Sequence, residues 1–190
     1  MIDYDLTMHG IYKMYCNLFQ KFGWMILLKS KSNKNNIIYL KTYIKCLKNL
    51  HKNIGKKEKS LKEDKDKKED CEIMMKNLEV LIKHAEKDFK MKEMPHNLPN
   101  NNKNMTEYDS TMYGLHKWFE SVFEKLGWMV IACEYKDKER LKEYYTCILK
   151  LYKSIDLKEK KSNNIDRKED YKIMKNDLII LLNHVKADFM

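Results

Sequence analysis

The chain has 190 residues and a formal net charge of +10. Only five glycines and two prolines interrupt a sequence rich in Lys, Glu, Leu and Ile, which favours helices over sheets. No apolar run approaches the ~20 residues that a membrane-spanning helix needs, and the N-terminal residues lack the basic-then-apolar pattern of a signal peptide.

The same unit is written twice. Thr7 to Leu28, TMHGIYKMYCNLFQKFGWMILL, returns as Thr111 to Ala132, TMYGLHKWFESVFEKLGWMVIA. The offset is 104 from Tyr4 to Lys29, 101 from Tyr39 to Ile54 and 100 from Asp66 to Phe89, and 29 of the 66 aligned positions are identical. The offset changes only between these blocks, so length varies in two connections while three elements keep their spacing. The predicted fold is all-α: a tandem duplication of a three-helix bundle, with six main helices related pseudo-symmetrically. Residues 1–90 form the first repeat, 91–104 a Pro/Asn-rich linker and 105–190 the second repeat. Residues 1–90 carry a charge of +8 and residues 105–190 only +1.

The first helix is expected to begin with Asp5 or Thr7 as N-cap. Met8, Ile11, Tyr15, Leu18, Phe22 and Met25 recur at three- and four-residue steps and form one apolar stripe, widened by Met14 and Phe19. Such breadth predicts a helix packed against two partners, at the centre of its bundle. Trp24 falls outside the stripe, on the face of Lys13, Asn17 and Gln20. Either Gly23 bends or ends the helix and resets its phase, or the helix runs on and Trp24 meets the other repeat or a partner chain. Trp128 poses the same choice in the second copy.

The second helix is expected from about residue 36 to Gly55, with Gly55 as its C′ residue. Ile37, Leu40, Ile44, Leu47, His51 and Ile54 form its seam. A charged stretch, Lys56 to Lys68, leads to a third helix starting near residue 67. Asp66 at N-cap and Glu69 at N3, repeated as Asp166 and Glu169, favour that boundary. Cys71, Met74, Leu78, Leu81, Ala85 and Phe89 form the third seam. Lys90 to Asn104, with both prolines, reads as exposed linker.

Phosphate-loop, dinucleotide-type glycine, zincin, Cys-x-x-Cys and nucleophile-elbow patterns are absent. The one candidate metal-ligand set kept in both copies is His84 with Asp88 and His184 with Asp188, each four residues apart near a helix C-terminus. Two metal ligands per copy leave a site short, so the pairs read as structural, with the helix dipole and a carboxylate favouring the charged histidine. No metal, cofactor or catalytic residue is predicted. Of the five cysteines only Cys46 and Cys147 correspond, so they read as small buried side chains and the thiols as reduced, in a reducing compartment such as a host cytoplasm.

Lys41, Lys45, Lys48 and Lys52 lie on one face of the second helix and could track a polyanion backbone. With 36 Lys and only two Arg, the bidentate group suited to bases and phosphates is scarce. In the second copy the stripe becomes Lys142, Thr146, Leu149 and Lys153. Leu149, Trp128 and Trp24 are therefore the predicted protein-partner residues.

The phrase T-M-x-G-x-x-K-W-x-x-x-F-E-K-L-G-W-M, clearest at Thr111 to Met129, resembles a helical repeat in uncharacterised proteins of giant, A/T-rich DNA viruses. Copy one departs from it at Met14 and Gln20. The resemblance implies a viral setting, with a virion component or adaptor, and carries over no functional residue. The expected function is a non-enzymatic scaffold or interaction protein, structural in a large virus particle, that binds other proteins or itself. The alternative is a nonspecific nucleic-acid or polyanion binder that uses the four lysines.

Overall fold

A computed structural model describes residues 7–31, 34–89 and 112–190. These form six helices and, among the described residues, no strand. They are α1 (Met8–Ser30), α2 (Lys34–Ser60), α3 (Lys65–Asp88), α4 (Met112–Glu134), α5 (Lys138–Lys161) and α6 (Ile165–Phe189). Asp5 and the 91–104 linker lie outside the described residues.

Thr7 caps α1 by accepting the N–H of Gly10 at 3.0 Å. The helix then continues without a break through Gly23 and Trp24, so the glycine neither ends nor resets it. Likewise α2 runs past Gly55 to Ser60, and Gly55 is not its C′ residue. No glycine among the described residues has a positive φ, and Lys57 and Lys59 favour the extra turn at the negative end of the helix dipole. The third helix of each copy starts earlier than expected. Asp64, not Asp66, accepts the N–H of Lys67 at 3.1 Å, and Asn164 accepts that of Arg167 at 3.0 Å. Asp66 and Asp166 sit instead in the first turn, where a carboxylate still favours the dipole. The turn after α4 needs one residue in the left-handed region. Lys136 takes it at φ 58, and the N–H groups of Lys136 and Asp137 satisfy the carbonyls of Cys133 and Ala132 at 2.9 Å.

Within each copy the helices pack on one another, yet the most extensive contact joins α1 to α4. α3 also reaches α4, and α6 reaches α1. One continuous core therefore runs through both copies, from Ile11, Phe19 and Phe22 to Leu115, Phe123 and Leu126. The contacts at the α1–α4 crossing are reciprocal. A Cβ on Gly23 would lie 2.2 Å from the Phe123 carbonyl oxygen, and one on Gly127 would lie 2.2 Å from that of Phe19. The two backbones thus approach where neither residue has a side chain. Beside this crossing Trp24 stacks on Phe123 (centroids 4.7 Å apart, planes at 18°), and Trp128 stacks on Phe19 (4.5 Å, 19°). The breadth of the first-helix stripe has its cause here, because α1 and α4 each face their own copy and the other. Tyr43 and Tyr144 brace the second helices in matching fashion, donating to the carbonyls of Leu18 and Val122.

The copies differ where they meet solvent. Lys175 bonds Asp156 at 2.6 Å and Glu159 at 2.7 Å and lies 5.6 Å from the Tyr152 ring centre. The aligned position in copy one is Met75, whose sulfur lies 3.5 Å from where a Cβ on Gly55 would be. Burial opposes the Lys175 charge, but its bonds to Asp156 and Glu159 raise it to about 12. Lys160 and Lys175 hold the Asp156 carboxyl below its ordinary range. Lys175→Met should therefore cost about 1–2 kcal/mol at pH 7. A carboxylate with a lowered native pKa contributes stability above its unfolded value and loses it as pH falls. The gap between wild type and variant in urea denaturation should accordingly narrow below about pH 4.

Candidate functional site

The docking of the two copies brings together the ends of α3 and α6. Each helix contributes a histidine and, one turn later, an aspartate on the same face. Their four functional atoms converge. His84 Nε2 lies 2.9 Å from Asp88 Oδ2 and 3.4 Å from Asp188 Oδ2, and His184 Nε2 lies 3.3 Å from each. All four atoms fall within 4.8 Å of one another. Neither histidine is thus confined to the aspartate of its own helix; each faces both carboxylates.

The cluster is enclosed. The side chains of Asp88 and Asp188 are 1% and 3% exposed, those of His84 and His184 14% and 12%. Phe22 packs near both imidazoles, at 5.7 Å from His84 and 6.2 Å from His184, and Phe189 near both at 5.4 and 6.1 Å. Phe89 stacks on Phe22 to extend this apolar wall. Lys29, near the end of α1, donates to the main-chain carbonyl of Asp88, while the aligned Cys133 sits 4.0 Å from that of Asp188.

Despite these short separations, both Nε2 atoms, both Asp88 oxygens and Asp188 Oδ2 are buried without a partner in hydrogen-bond geometry. A buried polar group left in this way costs about 1–3 kcal/mol. The electrostatics are unequal. Burial opposes a charge on His84, but the neighbouring Asp188 and Asp88 carboxylates overcome it and raise the imidazole to about 9. Burial pushes His184 down to about 4 and lifts Asp88 to about 6. Burial also works against ionised Asp188, yet its closeness to His84 and Asp88 holds it below the ordinary carboxylate range. Two carboxylates thus share one readily protonated imidazole in an apolar enclosure. The set can bind a cation or hold a proton among its members.

Both His/Asp pairs are visible in the sequence, but their convergence is not. Counting ligands per copy gives two; counting them across an interface between copies gives four. A polar pair kept at the same place in both halves of a duplication is the signal that raises this possibility.

The other expected site residues fall elsewhere. Trp24 and Trp128, both half-buried, each stack on a phenylalanine of the other copy. Leu149 is half-buried and packs against the core. Lys41, Lys45, Lys48 and Lys52 are exposed on α2, and Lys48 pairs with Glu86 at 2.6 Å. The exposed apolar side chains that stand together in sequence belong to copy one: Ile37, Ile38 and Tyr39 are 53%, 63% and 61% exposed. At the offset of α2 and α5 their counterparts are Lys138, Glu139 and Arg140.

These features define an all-α protein, with six helices among the described residues and a buried His/Asp cluster where its two halves meet. Comparison with protein-family models, curated proteins and solved structures finds no match to the chain.

Proposed function

We propose that the chain is a non-enzymatic helical scaffold that binds another protein through the start of α2. The observation that carries this reading is the exposed Ile37–Ile38–Tyr39 run on one copy, where the other copy carries three charges. Burying three large apolar side chains of this kind contributes to association at about 25 cal/mol per Å², and interfaces concentrate such residues at their centres. The resemblance to giant-virus repeats supports a virion component as the setting. The same helix favours a second reading, polyanion binding, because Lys41, Lys45 and Lys52 are exposed along it.

One variant separates the two. Ile38→Glu with Tyr39→Arg writes the charges of copy two into copy one, and at exposed positions should change stability by no more than about 0.5 kcal/mol. Cross-linking in particles or infected cells should recover a protein partner with the wild type and lose it with the variant. An unchanged partner set would remove this reading. Retention on heparin that falls steeply with salt and survives the variant would favour the polyanion reading.

A further inference from the structure

We propose that His84, Asp88, His184 and Asp188 form a zinc site that ties the two copies of the repeat together.

Geometry is the first support. A tetrahedral zinc ion takes nitrogen at about 2.0–2.1 Å and carboxylate oxygen at about 2.0–2.2 Å. The edges of such a tetrahedron are roughly 1.63 times the bond length, or about 3.3–3.5 Å. The four nitrogen-to-oxygen separations here are 2.9, 3.4, 3.3 and 3.3 Å. Three of the four fall on a ligand edge and the fourth is about 0.4 Å short of one; the remaining two edges, nitrogen to nitrogen and oxygen to oxygen, are at most 4.8 Å, so binding draws the side chains onto the ion.

The second support is that the donors are unsatisfied. Both imidazole Nε2 atoms and both Oδ2 atoms are buried and lack a hydrogen-bond partner. An ion between them would meet all four at once, and Asp88 Oδ1, equally without a partner, would be free to approach as a second oxygen. Charge balance points the same way. With the His84 proton displaced by the arriving ion, two carboxylates and two neutral imidazoles carry −2, which one divalent cation cancels inside an apolar wall. The negative ends of the α3 and α6 dipoles, where all four residues sit, also favour a cation.

Four protein ligands leave no open coordination position, which is the arrangement of structural rather than catalytic zinc. With two nitrogens and two oxygens in four-fold geometry, zinc fits better than calcium or magnesium, which take six or more oxygens. The ring of Phe22, Phe89 and Phe189 would keep water from the ion. Since half of the ligands come from each copy, the ion would act as a cross-link between α3 and α6.

Cobalt(II) and zinc titrated into the chelator-stripped full chain test this. Cobalt should bind one ion per chain and give the intense visible absorption of a four-coordinate site, and zinc should displace it. At free zinc a hundred times its Kd, Tm should rise by about 5–10 °C. Asp88→Asn and Asp188→Asn, near-isosteric changes in opposite copies, should each weaken binding at least 100-fold. Circular dichroism confirms that each variant is folded. Absence of the cobalt spectrum in the wild type overturns the proposal, whatever the variants do. Full-strength binding by either variant overturns it too, because the ion would then be held within one copy or elsewhere.

Discussion

Gly23→Ala and Gly127→Ala should each destabilise the protein by about 3–5 kcal/mol, while Gly55→Ala should be neutral or stabilise it by up to about 1 kcal/mol. All three glycines lie inside helices, where replacement by alanine ordinarily gains about 0.8–1 kcal/mol of propensity. Only the surroundings differ. At Gly23 and Gly127 the new methyl would lie 2.2 Å from a backbone carbonyl oxygen of the opposite helix, more than 1 Å inside ordinary contact. A backbone atom cannot rotate away as a side chain can, so α1 and α4 would have to separate along their longest contact, and interiors packed at crystal density resist such shifts. At Gly55 the methyl would meet the Met75 sulfur at 3.5 Å, ordinary van der Waals contact with the end of a flexible chain. Thermal or urea denaturation checks the set, with a loss of roughly 10 °C expected for the first two variants. If Gly23→Ala and Gly55→Ala shift Tm alike, the two helices do not approach as closely as described.

These glycines also show how far the sequence could be read. Repetition of Gly23 and Trp24 as Gly127 and Trp128 marks both positions as important, and the unbroken seam on either side is compatible with a continuous helix. Which of the two readings applies depends on what lies opposite, and helical periodicity carries no information on that. Six helices and most core positions follow from spacing, because burial of a stripe is a property of one helix at a time. Helix ends were less legible. Asp64 and Asn164 took the caps expected of Asp66 and Asp166 because several Asx residues stand close together, and any of them can accept a first-turn N–H. The His/Asp cluster lies further still from the sequence, since it depends on how one copy is rotated against the other. Leu149 shows the converse: one apolar residue on a polar stripe suggests an outward face, whereas α5 turns enough of that face toward the core to half-bury it.

Phe19→Ala should loosen both halves of the molecule, not only the half that contains it. Phe19 is fully buried, so truncation is expected to cost about 3–5 kcal/mol through lost burial and the cavity left behind. Its ring, however, stacks on Trp128 of the other copy at 4.5 Å and meets Tyr15 of its own in a tilted contact at 4.7 Å. Phe123 is placed in the same way, with Trp24 at 4.7 Å and Phe119 at 4.9 Å. A repeat of about 85 residues has too little interior to be secure alone, and here each supplies part of the other's core. Unfolding should therefore be a single transition, and Phe19→Ala and Phe123→Ala should lower the midpoint by similar amounts. Hydrogen exchange gives the sharper measurement. With one cooperative unit, Phe19→Ala reduces the protection of slow amides in α5 and α6 as much as in α2 and α3. Loss confined to α1–α3, or two separated melting transitions, would mean that the copies fold independently and that the α1–α4 contact only joins finished domains. A double-mutant cycle of Phe19 with Trp128 should return a coupling of about 0.5–1.5 kcal/mol. The cycle of Phe123 with Trp24 should match it, because the two pairs are built alike.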